Sequence, residues 1–144
     1  MMGFKEDLLQ TGLVPAQDIK GCSQDEVDTL AQSIGRPLPK AYVEFLLSMG
    51  HEAGDFMAGT DTFWRHLPWL QKTAERLVAE KSAAPLPASA FVFYMHQGYE
   101  FGYFLLDDGD DPAVYQFVTM KARAERVTDS FTGYFNEMLR LFRE

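Results

Sequence analysis

The chain of 144 residues carries a single cysteine, Cys22. That count excludes an internal disulfide framework and the cysteine-rich zinc patterns. No apolar run approaches the roughly 20 residues that a membrane-spanning helix needs. The opening MMGFKEDLLQTG has neither the basic start nor the apolar centre of a secretory signal. These absences point to the cytoplasm and away from a membrane. Catalytic patterns are missing too. His51, His66 and His96 show no HExxH spacing, and no Gly-rich phosphate loop follows a strand-like run and opens a helix. Ser130 lies in Thr-Asp-Ser-Phe, not in a strand–GxSxG–helix elbow, so helix capping explains it better than nucleophilic attack. Cys22 precedes a helix start, a position that lowers a thiol's pKa, but no base is paired with it in sequence. The chain reads as a non-enzyme with no cofactor and no metal set.

Basic residues are absent from one long window. Between Ser82 and Met120 there is no Lys or Arg, while Glu100, Asp107, Asp108, Asp110 and Asp111 supply −5 of the formal −8. Nucleic acid attracts basic surfaces because neutralised phosphates release counterions, so this composition argues against direct binding of DNA or RNA. A basic protein partner suits it better. Net negative charge also serves solubility alone.

What the window does contain is FVFYMHQGYEFGYFLLDDGDDPAVYQFV, residues 91–118. Three aromatic and β-branched runs are cut at Gln97-Gly98 and at Asp107–Pro112, which predicts strands joined by hairpins. A sheet this apolar must be covered, and the flanking segments supply helices to cover it. Residues 4–10 predict a short helix, and Thr11–Cys22 a connector around Pro15. Ser23-Gln24-Asp25-Glu26 forms a capping box, followed by Val27, Leu30, Ala31 and Ile34 at helical spacing and by Gly35 as a stop. Pro39 opens the next helix, with Tyr42, Phe45, Leu46 and Met49 on its core face and Gly50 at its end. Residues 50–66 have no period and read as a loop folded over the core. Pro68 starts a helix whose stripe is Leu70, Ala74, Leu77 and Val78, and 82–87 links it to the sheet. After the sheet, Lys121–Arg126 reads as a charged bridge. One of Thr128, Asp129 and Ser130 caps a last helix with Phe131, Tyr134, Phe135, Met138, Leu139 and Phe142 on one face. The expected fold is α+β: one domain over 1–144, with an antiparallel sheet centred on 91–118 and packed against about four helices.

The acidic turn is the main candidate for binding. Three readings stand for Asp107, Asp108, Asp110 and Asp111: a solvated hairpin loop, contact with a basic partner, and a hard-cation site. The EF-hand pattern fails, because the glycine is misplaced and Tyr115, Gln116 and Phe117 stand where a bidentate Glu is wanted. Glu100, Trp64 and Trp69 join the turn as candidate partner contacts.

Gly21-Cys22-Ser23, then Ile34-Gly35-Arg36-Pro37-Leu38-Pro39 with Tyr42, Phe45 and Leu46, resembles the start of a SUKH domain. HQGYEFGYFLLDDGDDPAVYQF and Asp129-Ser130-Phe131 with Tyr134 and Phe135 resemble the rest, so the likeness runs from about Val14 to Phe142. In one departure, Met49-Gly50-His51 stands where the family often has Asn-Gly after the second helix. The resemblance implies helices packed on an antiparallel sheet and no shared catalytic triad. Bacterial SUKH proteins are mostly immunity proteins. By that resemblance the partner is a cognate toxin, often a nuclease, of a polymorphic or contact-dependent system, and it is blocked by occlusion. The family also includes a fungal regulator of cell-wall synthesis, which implies the alternative role of a regulatory interaction module.

Overall fold

The computed structural model describes residues 3–144. Five α-helices and seven strands run in the order α1 (Phe4–Gln10), β1 (Ile19–Lys20), α2 (Gln24–Ile34), α3 (Lys40–Met49), β2 (Glu52–Ala53), β3 (Thr60–Asp61), α4 (Leu67–Glu80), β4 (Ala90–His96), β5 (Glu100–Leu105), β6 (Val114–Val118), β7 (Arg123–Thr128) and α5 (Phe131–Arg143) among the described residues. The strands β3-β4-β5-β6-β7 form one antiparallel sheet in sequence order, and β1 pairs with β2 separately. The fold is α+β.

Local chemistry sets the helix ends. Ser23 and Glu26 complete the reciprocal capping box of α2, and Gly35 ends that helix at φ +78°, where a side chain would be strained. Ser130 caps α5 by accepting from the Gly133 N–H at 2.9 Å. The β4–β5 hairpin turns through Gln97 and Gly98, both at positive φ, a geometry that matches the right-handed twist of the paired strands.

The core is aromatic and centres on Phe131, whose ring meets Tyr42, Phe45, Phe93 and Phe104 edge-on at 5.3–6.0 Å. Phe135, 2% exposed, adds Phe4, Phe45 and Phe56. Edge-to-face pairs of this kind contribute about 0.5–1.5 kcal/mol each beyond the area they bury.

Both long edges of the sheet carry a device against unwanted pairing. On β4, β3 covers only Met95 and His96. Above it the Thr62 hydroxyl donates to Phe93 O at 2.8 Å. Higher still, the Gln71 side chain of α4 accepts from the Val92 N–H at 2.9 Å and donates to Val92 O at 2.7 Å. One side-chain amide thus replaces a neighbouring strand. The far edge, β7, is guarded by charge, with Arg123, Glu125 and Arg126 along it.

Three segments depart from the sequence reading. The bridge at Lys121–Arg126 turns through Ala122 at φ +52° and becomes β7, because pairing with β6 outweighs a polar sequence with weak strand periodicity. The 50–66 loop contains β2, β3 and a 3-10 turn at Trp64–His66, and the 11–22 connector contains a 3-10 turn and β1. Strands of two residues are too short to leave a periodic trace.

Candidate functional site

The seven residues singled out in the sequence lie in three places. Asp107, Asp108, Asp110 and Asp111 form the β5–β6 connection, with Gly109 at φ +80° at its apex. Much of this turn faces inward chemically. Asp108 accepts from the Ala113 N–H at 3.0 Å, and Asp111 accepts from the Thr132 N–H in the first turn of α5 at 2.9 Å. The Asp110 carbonyl accepts from the Ala41 N–H in the first turn of α3 at 2.9 Å. Helix N-termini carry unpaired N–H groups and positive partial charge, so acceptors placed there hold both helices to the sheet. The side chains of Asp107 and Asp110 are exposed and make no hydrogen bond or ion pair among the described residues.

Trp64 is half-buried and lines a groove of about 520 Å³ between α2 and α4, together with Leu30, Ile34, Gln71 and Phe91. Its ring meets His51 edge-on at 6.2 Å. Trp69 is 40% exposed on α4 and contacts His66 at 6.2 Å.

Glu100 opens a different surface. Beside α5 the sheet leaves a cleft of about 420 Å³ to which all five strands contribute, through residues such as Thr60, His96, Glu100, Gln116 and Val127. Its floor depends on Gly102. A Cβ at that position would fall inside the Tyr94 ring, so the missing side chain lets Tyr94 lie across β5. From there the Tyr94 hydroxyl donates to Glu100 Oε2 at 3.1 Å and accepts from Gln116 Nε2 at 3.1 Å. Tyr134 of α5 stacks on Tyr94 at 5.5 Å and 17°. Burial, first, and the neighbouring Glu100 push both phenols well above their ordinary pKa, against which the Gln116 hydrogen bond to Tyr94 works in part, so both remain neutral. Tyr99, Val127 and Leu141 form an exposed apolar rim. Neither Lys nor Arg lines the cleft. Glu100 makes no ion pair among the described residues. The arrangement is an aromatic-walled hollow with a carboxylate, suited to a cationic side chain.

The sequence could not show this cleft, because Tyr94, Gly102, Gln116 and Tyr134 come from four elements. A glycine between two aromatics in the apolar run Phe101–Leu105 was the available sign, since glycine in a strand marks close approach by another group.

The other reactive side chains follow burial. Cys22, expected to feel a helix N-terminus, is buried, and desolvation, with Glu26 nearby, pushes its thiol up to about 12. Desolvation by burial outweighs the helix-end field and keeps the free thiol protonated. His66 is lowered by burial, then raised in part by Asp61, with Arg65 lowering it again. His96 bonds the Thr60 hydroxyl through Nδ1 at 3.0 Å.

No helix among the described residues is long and apolar enough to cross a membrane. No curated protein matches the chain. The model of the SMI1 / KNR4 family (SUKH-1) matches residues 21–137, which run from just before α2 into α5 and include the whole five-stranded sheet. The α+β fold agrees with that match, and the chain belongs to the SMI1 / KNR4 family (SUKH-1).

Proposed function

We propose that this protein is an immunity protein that binds a cognate bacterial toxin and blocks its working surface by occlusion. The observation that carries this reading is the cleft around Glu100: an unpaired carboxylate set among tyrosines, free of Lys and Arg, in a SUKH-1 chain of net charge −8. An inhibitor of this kind performs no chemistry. It needs a hollow that anchors one partner side chain and a rim that excludes water around it. Tyr99, Val127 and Leu141 supply that rim, and Glu100 selects a positive charge. A toxin that acts on nucleic acid has a basic working surface, which makes a nuclease the best-matched target. Asp107 and Asp110 extend the negative field and speed encounter, and Trp64 and Trp69 offer further apolar contact.

Co-expression with toxins encoded beside this gene tests the reading. Protection from one toxin, with a stable complex weakened at least tenfold by Glu100→Arg, is the expected result. Failure to bind or protect against any neighbouring toxin overturns it. Recovery of a cellular assembly partner with no effect on toxins favours a regulatory interaction module, the other role implied by the family resemblance.

A further inference from the structure

Three side chains of different chemistry converge at the start of α2. The Cys22 sulfur, a Glu26 carboxylate oxygen and a His51 ring nitrogen all lie within 4.8 Å of one another. They come from the link between β1 and α2, the first turn of α2 and the segment that follows α3. His51 Nε2 stands 2.9 Å and 3.1 Å from the two Glu26 oxygens, so this is the nitrogen aimed into the cluster.

Each of the three is held by backbone bonds. The Cys22 N–H donates to Leu46 O at 2.8 Å, and the His51 N–H donates to Lys20 O at 2.9 Å. The Glu26 N–H donates to Ser23 Oγ at 3.1 Å, while Glu26 Oε1 accepts from the Ser23 N–H at 2.9 Å. Oε2 has only the 3.1 Å contact to His51 Nε2. Gly50 completes the setting, because a Cβ there would press on the Cys22 sulfur at 2.5 Å. The Cys22 sulfur sits at the border of the hydrophobic core, so it brings a soft donor from a third segment up to the Glu26–His51 pair.

We propose that Cys22, Glu26 and His51 bind a zinc ion. Sulfur, imidazole nitrogen and carboxylate oxygen in one set favour zinc over the hard cations magnesium and calcium, which select oxygen alone. With metal–ligand bonds of about 2.0–2.3 Å, two ligands of a tetrahedral zinc lie about 3.3–3.8 Å apart. To reach that spacing the longest separations close by roughly an ångström and the His51–Glu26 contact, now 2.9–3.1 Å, opens by a few tenths, through Glu26 and His51 side chains that are 35% and 36% exposed. On binding, Cys22 releases its thiol proton to solvent and a sulfur–zinc bond forms. His51 Nε2 donates its lone pair in the tautomer protonated at Nδ1. Water takes the fourth position on the exposed side. The Ser23 N–H bond to Oε1 remains and orients the carboxylate.

The full chain, purified with chelator and reductant, is titrated with Co2+ and then with Zn2+ in competition with a chromophoric chelator. One equivalent of Co2+ should give a thiolate-to-cobalt charge-transfer band with the intense visible bands of four-coordination, and zinc should displace it. Cys22→Ser should abolish the charge-transfer band, and His51→Ala, at a half-exposed position, should weaken binding at least tenfold with the far-ultraviolet circular dichroism unchanged. Absence of the band, or equal binding by wild type and His51→Ala, overturns the proposal and marks any uptake as adventitious. If Cys22→Ser does not fold, the charge-transfer band and His51→Ala alone decide. The toxin reading is independent of this result.

Discussion

Tyr42 is wholly buried among phenylalanines, yet its hydroxyl has no hydrogen-bond partner among the described residues. An unpaired buried hydroxyl costs about 1–3 kcal/mol, whereas removing it leaves the ring contacts intact. Tyr42→Phe should therefore match or exceed the wild type in stability, by up to about 1 kcal/mol, in a denaturant melt. A clear loss of stability would reveal a bonded hydroxyl. Glu137 gives a pH-dependent counterpart. The Arg140 guanidinium, through its hydrogen bond first and its charge second, holds the Glu137 carboxyl below its ordinary range. A depressed carboxyl contributes stability above its unfolded pKa and loses it as the pH falls through the folded value. Glu137→Gln should melt below wild type at neutral pH, and the gap should close in acid. High salt should narrow it as well, because the pair is exposed and screened.

At the scale of elements, the acidic turn and the α4–β4 seam make opposite demands on their polar groups. The turn uses Asp108 and Asp111 within the fold and leaves Asp107 and Asp110 outside it. Asp111→Ala should cost about 1 kcal/mol, as loss of an N-terminal acceptor does, while Asp107→Asn should leave stability unchanged. If both variants melt alike, the division of labour is wrong. Gln71 is the larger dependency, since its amide alone pairs both backbone groups of Val92 toward α4. Gln71→Ala should cost about 1–3 kcal/mol through those two groups. The sequence showed α2, α3, α4 and α5 because each combines a start signal with an apolar stripe of period 3.6. It showed β4, β5 and β6 through aromatic runs cut by turns. It missed β7, whose residues Arg123–Thr128 are polar and whose strand state is imposed by β6. Helical periodicity survives in a single chain; edge pairing depends on the partner.

For the molecule as a whole, charge and shape were legible to different degrees. The one-signed window is visible by counting, but its sorting is not: Asp108 closes its own turn, Asp111 binds the start of α5, two aspartates face solvent, and Glu100 lies in the cleft beside α5. Neutralising Asp107 and Asp110 together should slow association with a basic toxin at low salt and leave dissociation nearly unchanged. Glu100→Gln should act in reverse, speeding dissociation with little effect on the salt dependence of association. Surface-plasmon kinetics at two ionic strengths separate the two, and identical effects would merge the turn and the cleft into one field. The covered β4 edge and the charged β7 edge together limit how copies of the chain can associate. A sheet extends from copy to copy only through a bare strand edge, and here one edge is held by side chains of the same fold while the other sets Arg123, Glu125 and Arg126 against an incoming strand. Neither edge therefore invites a second copy, and Gln71→Ala would bare only the Val92 groups, because Thr62 and β3 still hold Phe93, Met95 and His96.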